Sequence, residues 1–330
     1  MNRKVSVAPM MDCTDKHERY FLRLISKNVL LYTEMIVSEA IDRGDTKKLL
    51  SFNLEEKPVA LQLGGSSPKL LSNASKIGEQ FGYDEINLNL GCPSKKVQKN
   101  KFGACLMKEP NLVADCLNEM KAKTSLPVTV KTRIGYDQVE DYENLYNFVN
   151  LLKSTGVKTF IIHARKAMLG KFTPKQNLNI PPLKYEMVYK LKQDFKDLEI
   201  IINGGINTTS EIKAHLTNVD GVMLGRSVYH SPYLLADIEK EIFSNQIYPS
   251  RQEVIEKLVH YLKKEVSKGT KVNQIMRHTL GLFHGQYGSS YWKRYLSENM
   301  CVRNADIQKI NHIMDKVKLN NVVQSAGQID

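Results

Sequence analysis

The sequence has no run of about 18 consecutive apolar residues, so no membrane-spanning helix is predicted. Its opening stretch, MNRKVSVAPM, passes almost at once into a strand-like segment, and no secretory leader is expected. Cysteine is scarce. Cys13, Cys92, Cys105, Cys116 and Cys301 form no C-x-x-C pair, and their number is odd. That argues against a disulfide framework and for a reducing, cytoplasmic setting. No set of His, Cys, Asp or Glu has metal-ligand spacing, so no metal site is expected. Acidic residues are outnumbered, 35 against 47 Lys and Arg, leaving a formal charge of +12 and a pI near 9.3. A polyanionic partner suits this excess, although a merely lysine-rich composition would give the same charge.

What is present is a period. β-rich runs recur as VSVAP from Val5, LLYTEMI from Leu30, VALQLGG from Val59 and EINLNLG from Glu85. They continue as VTVKTRIG from Val128, TFIIHA from Thr159, EIIINGG from Glu199 and GVMLGRS from Gly221. Amphipathic stretches such as PKLLSNASKIGEQFG and NLVADCLNEMKAKT lie between them. TTSEIKAHL opens with a capping box, Thr208 to Glu211, which marks a helix start. Eight alternating strand and helix units predict an α/β fold, a (β/α)8 TIM barrel over residues 1–240. A doubly wound sheet would carry G-x-G-x-x-G after its first strand, and none is there. After about Ser244 the β-rich runs stop. RQEVIEKLVHYLKKEV, NQIMRHTLGLFHGQYGSSYWKRYLSENM and ADIQKINHIMDKVK predict a small all-helical domain over 241–330, and the tail LNNVVQSAGQID is expected to fray.

Barrel active sites lie at the carboxyl ends of the strands. Reading those ends in order gives Pro9, Met10 and Met11; Gln62; Asn87, Asn89 and Cys92; Lys131 and Arg133; His163 and Arg165; Asn203, Gly204 and Gly205; Gly225 and Arg226. Glycine-rich loops after the last two strands expose backbone N–H groups to an anion, and Arg226 adds a charged fork, which is the usual phosphate position in such barrels. The glycines alone are also explained by tight turns, and His163 alone by a hydrogen-bonded core histidine. A lysine at a barrel mouth is costly without an anion or polar ligand. Lys131, Gln62, His163 and the glycine loops around one mouth together point to flavin mononucleotide.

Cys92 sits between a turn glycine and a proline, at the end of a strand. A thiol of ordinary pKa is mostly protonated at neutral pH and can give up a proton. Over a flavin it would protonate one carbon of an activated C=C bond while hydride goes to its neighbour; an inert turn cysteine is the plainer reading, and Cys105 is the rival thiol. Residues 91–108 carry Lys95, Lys96, Lys99, Lys101 and Lys108 with no acid. Residues 157–185 carry Lys158, Arg165, Lys166, Lys171, Lys175 and Lys184, read here as a one-signed stretch. Such loops beside a cleft suit a nucleic-acid backbone. In the helical region Arg277, Lys293 and Arg294 stand near Tyr291, Trp292 and Tyr295, a mix that holds phosphates and stacks on bases. Trp292 reads equally as a core anchor.

At these residues the sequence resembles the tRNA-dihydrouridine synthases. The matching strings are APMMDCTD, ALQLGG, EINLNLGCPSKKVQ, FGACLM, VTVKTRIG, FIIHARKA, INGGI and DGVMLGRSVY; IPPL and LGLFHGQYG…WKRYLSEN resemble the A-type subfamily. The segment QKNKFGA departs from relatives that place a glycine before the aromatic. The resemblance implies an FMN enzyme that uses NADPH and reduces uridines 20 and 20a of the tRNA D-loop. It implies Cys92 as proton donor and Pro9, Met10, Met11, Gln62, Lys131, His163, Asn203, Gly204, Gly205, Gly225 and Arg226 as FMN-binding positions. Asn89, Lys95, Lys96, Arg165, Lys175, Arg277, Lys293 and Arg294 are the expected tRNA contacts, and a monomer is expected. Two alternatives stay open: a flavin barrel acting on a free pyrimidine or small enone, and an RNA-binding protein on a catalytically dead barrel.

Overall fold

The computed structural model describes residues 1–310. Nine strands occur among them: β1 (Val5–Val7), β2 (Leu30–Tyr32), β3 (Ile36–Val37), β4 (Val59–Gly64), β5 (Glu85–Asn89), β6 (Val128–Arg133), β7 (Thr159–His163), β8 (Glu199–Asn203) and β9 (Gly221–Leu224). Every ladder between them is parallel. The order β2-β1-β9-β8-β7-β6-β5-β4 closes on itself through the pairing of Leu31 with Val59 and Tyr32 with Ala60. The result is a (β/α)8 TIM barrel, with the short β3 as an extra strand on β4. The run LLYTEMI supplies both β2 and β3.

Local chemistry sets the helices. Ser67 accepts from the N–H of Leu70, Pro68 occupies the first turn, and Gly82 at φ +89° ends the helix Pro68–Phe81. The expected capping box is present: Glu211 N–H donates to Thr208 Oγ1 at 3.2 Å and Thr208 N–H to Glu211 Oε2 at 3.0 Å.

The barrel interior is divided. Ala8, Leu30, Tyr32, Ala60, Ile161, Ile201 and Met223 form an apolar cluster. Beside it Gln62 on β4, Glu85 and Asn87 on β5 and Thr129 on β6 make a polar part of the interior, all at most 1% exposed. At the amino-terminal end Arg3 spans the barrel, donating from Nε to Glu85 at 2.7 Å and from NH1 to Glu199 at 2.9 Å.

The chain divides into two compact units, the first formed by Met1–Lys16 and Val29–Gly225, the second by His17–Asn28 and the chain from Arg226 onward. The second is helical, and His17–Asn28 is built into it. His17 Nδ1 lies 2.8 Å from the Tyr261 hydroxyl, Tyr20 stacks on Tyr261 at 3.8 Å, and Asn28 donates to Glu239 at 2.7 Å. Helices Leu234–Glu241, Arg251–Ser267, Val272–Met276 and Ser289–Tyr295 follow in the carboxyl-terminal segment. Trp292 is a core anchor here: its indole N–H donates to Thr279 O at 2.9 Å and its ring packs on Phe283. Most of the helix expected from Ala305, and the whole tail LNNVVQSAGQID, lie outside the described residues.

Candidate active site

The turn that ends β5 is held from several sides. Asn89 Oδ1 accepts the N–H of Gly91 at 3.1 Å and of Cys92 at 3.0 Å. The Cys92 carbonyl accepts the N–H of Ala104 at 3.0 Å. Arg133 donates from Nε to Gly91 O at 2.8 Å. Gly103, at φ +74°, lets the second loop come this close, since a Cβ there would lie 2.7 Å from Cys92 O and 2.5 Å from Val97 Cγ1. Cys92 is thus a partly exposed residue on a fixed turn. Among the described residues, none accepts a hydrogen bond from its thiol. Cys105 differs: its Sγ donates to Phe102 O at 3.1 Å, and burial pushes its pKa up. Burial raises Cys116 to about 12 and Cys301 to about 11.

Register assembles the rest. Asn89 is paired with Lys131, and His163 with Asn203. Lys131 Nζ donates to Asn203 Oδ1 at 3.0 Å, and Asn203 Nδ2 donates to Met223 O at 2.7 Å. Burial first, then the charge of Arg133, presses Lys131 down to about 7, with Cys92 opposing the shift. Burial also lowers Arg133 to about 10, so it keeps its charge at neutral pH. Gln62 lies one layer below the mouth, 1% exposed, with its amide spent on Asn87 and Asn89 at 2.8 Å each.

The β8 loop is shaped by its glycines. Gly204 and Gly205 sit at φ +120° and +72°, and a Cβ on Gly204 would lie 2.7 Å from the His163 ring. Tyr185 donates to Gly204 O at 2.7 Å and pins the loop. At the end of β9, a Cβ on Gly225 would find nothing nearer than Met10 Sδ at 3.7 Å. Pro9 and Met10 are half-buried at the end of β1, and Met11 is exposed. Arg226 is exposed and opens the helix Arg226–His230, in the second unit. These features fit a flavin mononucleotide in the first unit: space at Gly225 for a phosphate, beside the loop that Gly204 and Gly205 turn, and the ammonium of Lys131 for an electron-rich ring edge.

The basic loops are more differentiated than their sequence suggests. Lys95, Lys96 and Lys99 lie exposed on a short helix capped by Ser94. Lys108 instead pairs with Asp137 at 3.3 Å. In the second basic stretch Glu140 takes Lys166 at 3.0 Å and Lys184 at 3.3 Å. Lys171 stays exposed on the loop before the helix Pro174–Asn179 and Lys175 on that helix, whose buried Asn177 accepts from Arg133 through its carbonyl at 3.2 Å. Arg165 donates to Pro181 O. In the second unit Lys293 and Arg294 are exposed, while Arg277 is half-buried. Sequence reading passed over two residues that shape the site: Arg133, noted only as lying at a strand end, and Tyr185, which carries no local signal.

Comparisons with known proteins give the family. A family model described as dihydrouridine synthase matches residues 6–318. The tRNA-dihydrouridine(20/20a) synthase of Synechocystis is 49% identical over 320 residues, covering 97% of this chain and 96% of the relative. The protein of the same description from Escherichia coli K12 is 51% identical over 316 residues, covering 95% and 91%. Among solved structures, a 2-naphthoyl-CoA reductase complex superposes with a TM-score of 0.54 at 12% identity, over 73% of this chain and half the length of that one, a likeness of fold. On the match along almost its full length, the chain belongs to the dihydrouridine synthase family.

Proposed function

We propose that this chain reduces the C5=C6 bond of uridines 20 and 20a in the D-loop of tRNA, with FMN as its resident cofactor and NADPH as the reductant. The observation that carries the reading is the Cys92 turn: a thiol with no hydrogen-bond acceptor among the described residues, fixed at the barrel mouth by Asn89, Arg133 and Ala104 beside Lys131. Bound FMN would supply hydride transfer to C6 of the uracil. Cys92 Sγ holds the proton destined for C5. Lys131 and Asn203 orient the ring edge of the flavin from the barrel wall. Gly225 leaves room for its phosphate, and Gly204 and Gly205 turn the neighbouring loop. Pro9, Met10, Met11 and His163 complete the lining, with Gln62 beneath it.

A uridine in folded tRNA must leave its stack to reach a barrel mouth. The exposed Lys95, Lys96, Lys99 and Lys175 hold the phosphate backbone for this, with Arg165 at the rim, and the helical unit adds Lys293, Arg294 and Arg277. Among the described residues no helix is long and apolar enough to cross a membrane; a monomer at work in the cytoplasm completes the proposal. Mass spectrometry of tRNA from a strain lacking the gene tests it. Dihydrouridine should vanish at positions 20 and 20a and return on complementation; its retention there would overturn the assignment.

A further inference from the structure

The polar part of the barrel interior holds a hydrogen-bond chain with a direction. The N–H groups of Gly91 and Cys92 donate to Asn89 Oδ1 at 3.1 and 3.0 Å. Asn89 Nδ2 donates to Gln62 Oε1 at 2.8 Å, and Gln62 Nε2 to Asn87 Oδ1 at 2.8 Å. Asn87 Nδ2 donates to Thr129 Oγ1 at 2.8 Å, and the Thr129 hydroxyl to Glu85 Oε1 at 2.6 Å. Tyr32 donates to the same Glu85 oxygen at 2.7 Å, and Arg3 to the other at 2.7 Å. The period of the strand builds this chain. Glu85, Asn87 and Asn89 share one face of β5, while Gln62 and Thr129 are the register partners of Asn87 on either side.

The two ends fix its sense. A backbone N–H can only donate, and an ionised carboxylate can only accept. Each amide between them has two orientations in principle. Turning any one over sets donor against donor on at least one side, in a buried place where the clash is not relieved by water. Glu85, fully buried and paired with Arg3 at 2.7 Å, stands at the acceptor end. Asn89 Oδ1 already receives two N–H groups, which fills its acceptor capacity. Toward a ligand Asn89 has only an N–H left to offer.

We propose that Glu85, Thr129 and Asn87, none of which reaches the mouth, are positioning residues that set Asn89 as a donor and hold the Cys92 turn. A base edge bearing a carbonyl oxygen satisfies that donor, and an edge bearing an amino group meets it donor to donor. The preference for uracil over cytosine rests on the proposed reaction; the locking of the turn does not.

The test is Thr129→Val, which keeps the shape and removes the hydroxyl link, with Thr129→Ser as the restoring variant. The valine variant should lower kcat for tRNA reduction by about 10–100-fold, the scale of a small misplacement of reacting groups. Its flavin content and its flavin reduction by NADPH should match the parent, and the serine variant should recover most of the loss. Alkylation of Cys92 by iodoacetamide, which needs no tRNA and no turnover, should change several-fold in the valine variant and not in the serine one. A valine variant with the parent's kcat and alkylation rate would overturn the proposal. Hydrogen exchange on the unmodified protein needs no variant to fold: the Gly91 and Cys92 amides should be protected as the barrel strands are, and exchange at the rate of an open loop would overturn it. Altered alkylation and protected amides in a protein that reduces no uridine would leave the locked turn standing and remove the reaction.

Discussion

Lys131 reaches across β7 to put its Nζ 3.0 Å from Oδ1 of Asn203, so β6 and β8 are joined over the barrel interior by one side-chain bond. The amide oxygen is a neutral partner, so nothing there offsets burial and then the charge of Arg133, which press the ammonium down from 10.5 to about 7.

This sets a pH dependence. Between about pH 7 and 10.5 the folded protein binds fewer protons at Lys131 than the unfolded chain does, so the contribution of this group to stability rises with pH across that window. An electron-rich flavin edge on Nζ restores the proton. FMN binding should therefore take up a proton above pH 7, and affinity should fall from pH 7 to pH 9. Titrations of FMN into apoprotein across that range should show the decline in the parent and its flattening in Lys131→Met; equal slopes would remove Lys131 from the flavin site.

The thiol assignment separates cleanly. Cys92→Ala should slow uridine reduction by about 10²–10⁴-fold, the usual share of a general acid, and leave NADPH oxidation by the flavin unchanged. Cys105→Ala should cost far less, because that thiol is bonded to Phe102 O and weakened as an acid by burial. The opposite pattern in single-turnover assays would exchange their roles.

Much of this was legible beforehand. The eight β-rich runs correspond to the eight barrel strands, since parallel strands buried on both faces need nearly continuous apolar sequence. The Gly-Cys-Pro string marked the turn at Cys92. Three things were not legible. Glu140 pairs with both Lys166 and Lys184, but an acid outside a basic segment says nothing of its partner until the loops are folded. The residues 17–28 join the second unit through Tyr261 and Glu239, more than 200 positions away in the chain. The alternation of Glu85, Asn87 and Asn89 read as a strand, yet its meaning as a polar chain depends on Gln62 and Thr129 from the neighbouring strands.

The basic loops should divide accordingly. Replacing Lys95, Lys96 and Lys99 together should weaken tRNA binding and flatten its salt dependence, each lost phosphate contact removing roughly 0.7–0.9 from the log–log slope. Replacing Lys166 and Lys184 should change the slope less, since both charges are engaged with Glu140. Filter-binding at several salt concentrations checks this; equal slopes for the two sets would show that pairing does not govern the contact.

In the proposed reaction NADPH uses the mouth that the uracil later occupies. Steady-state kinetics should then be ping-pong, with parallel double-reciprocal lines and inhibition by excess tRNA against NADPH. Intersecting lines would require a separate nicotinamide pocket.

The most direct measurement is a single turnover on defined RNA. Protein loaded with FMN, reduced by NADPH and freed of nicotinamide is mixed with unmodified tRNA, and the product is digested and mapped by mass spectrometry. The account predicts a gain of two hydrogens on one uridine per flavin, at position 20 or 20a, with the gain lost in Cys92→Ala. A flavin that stays reduced while the tRNA mass is unchanged, or a gain confined to uridines elsewhere in the tRNA, would contradict it.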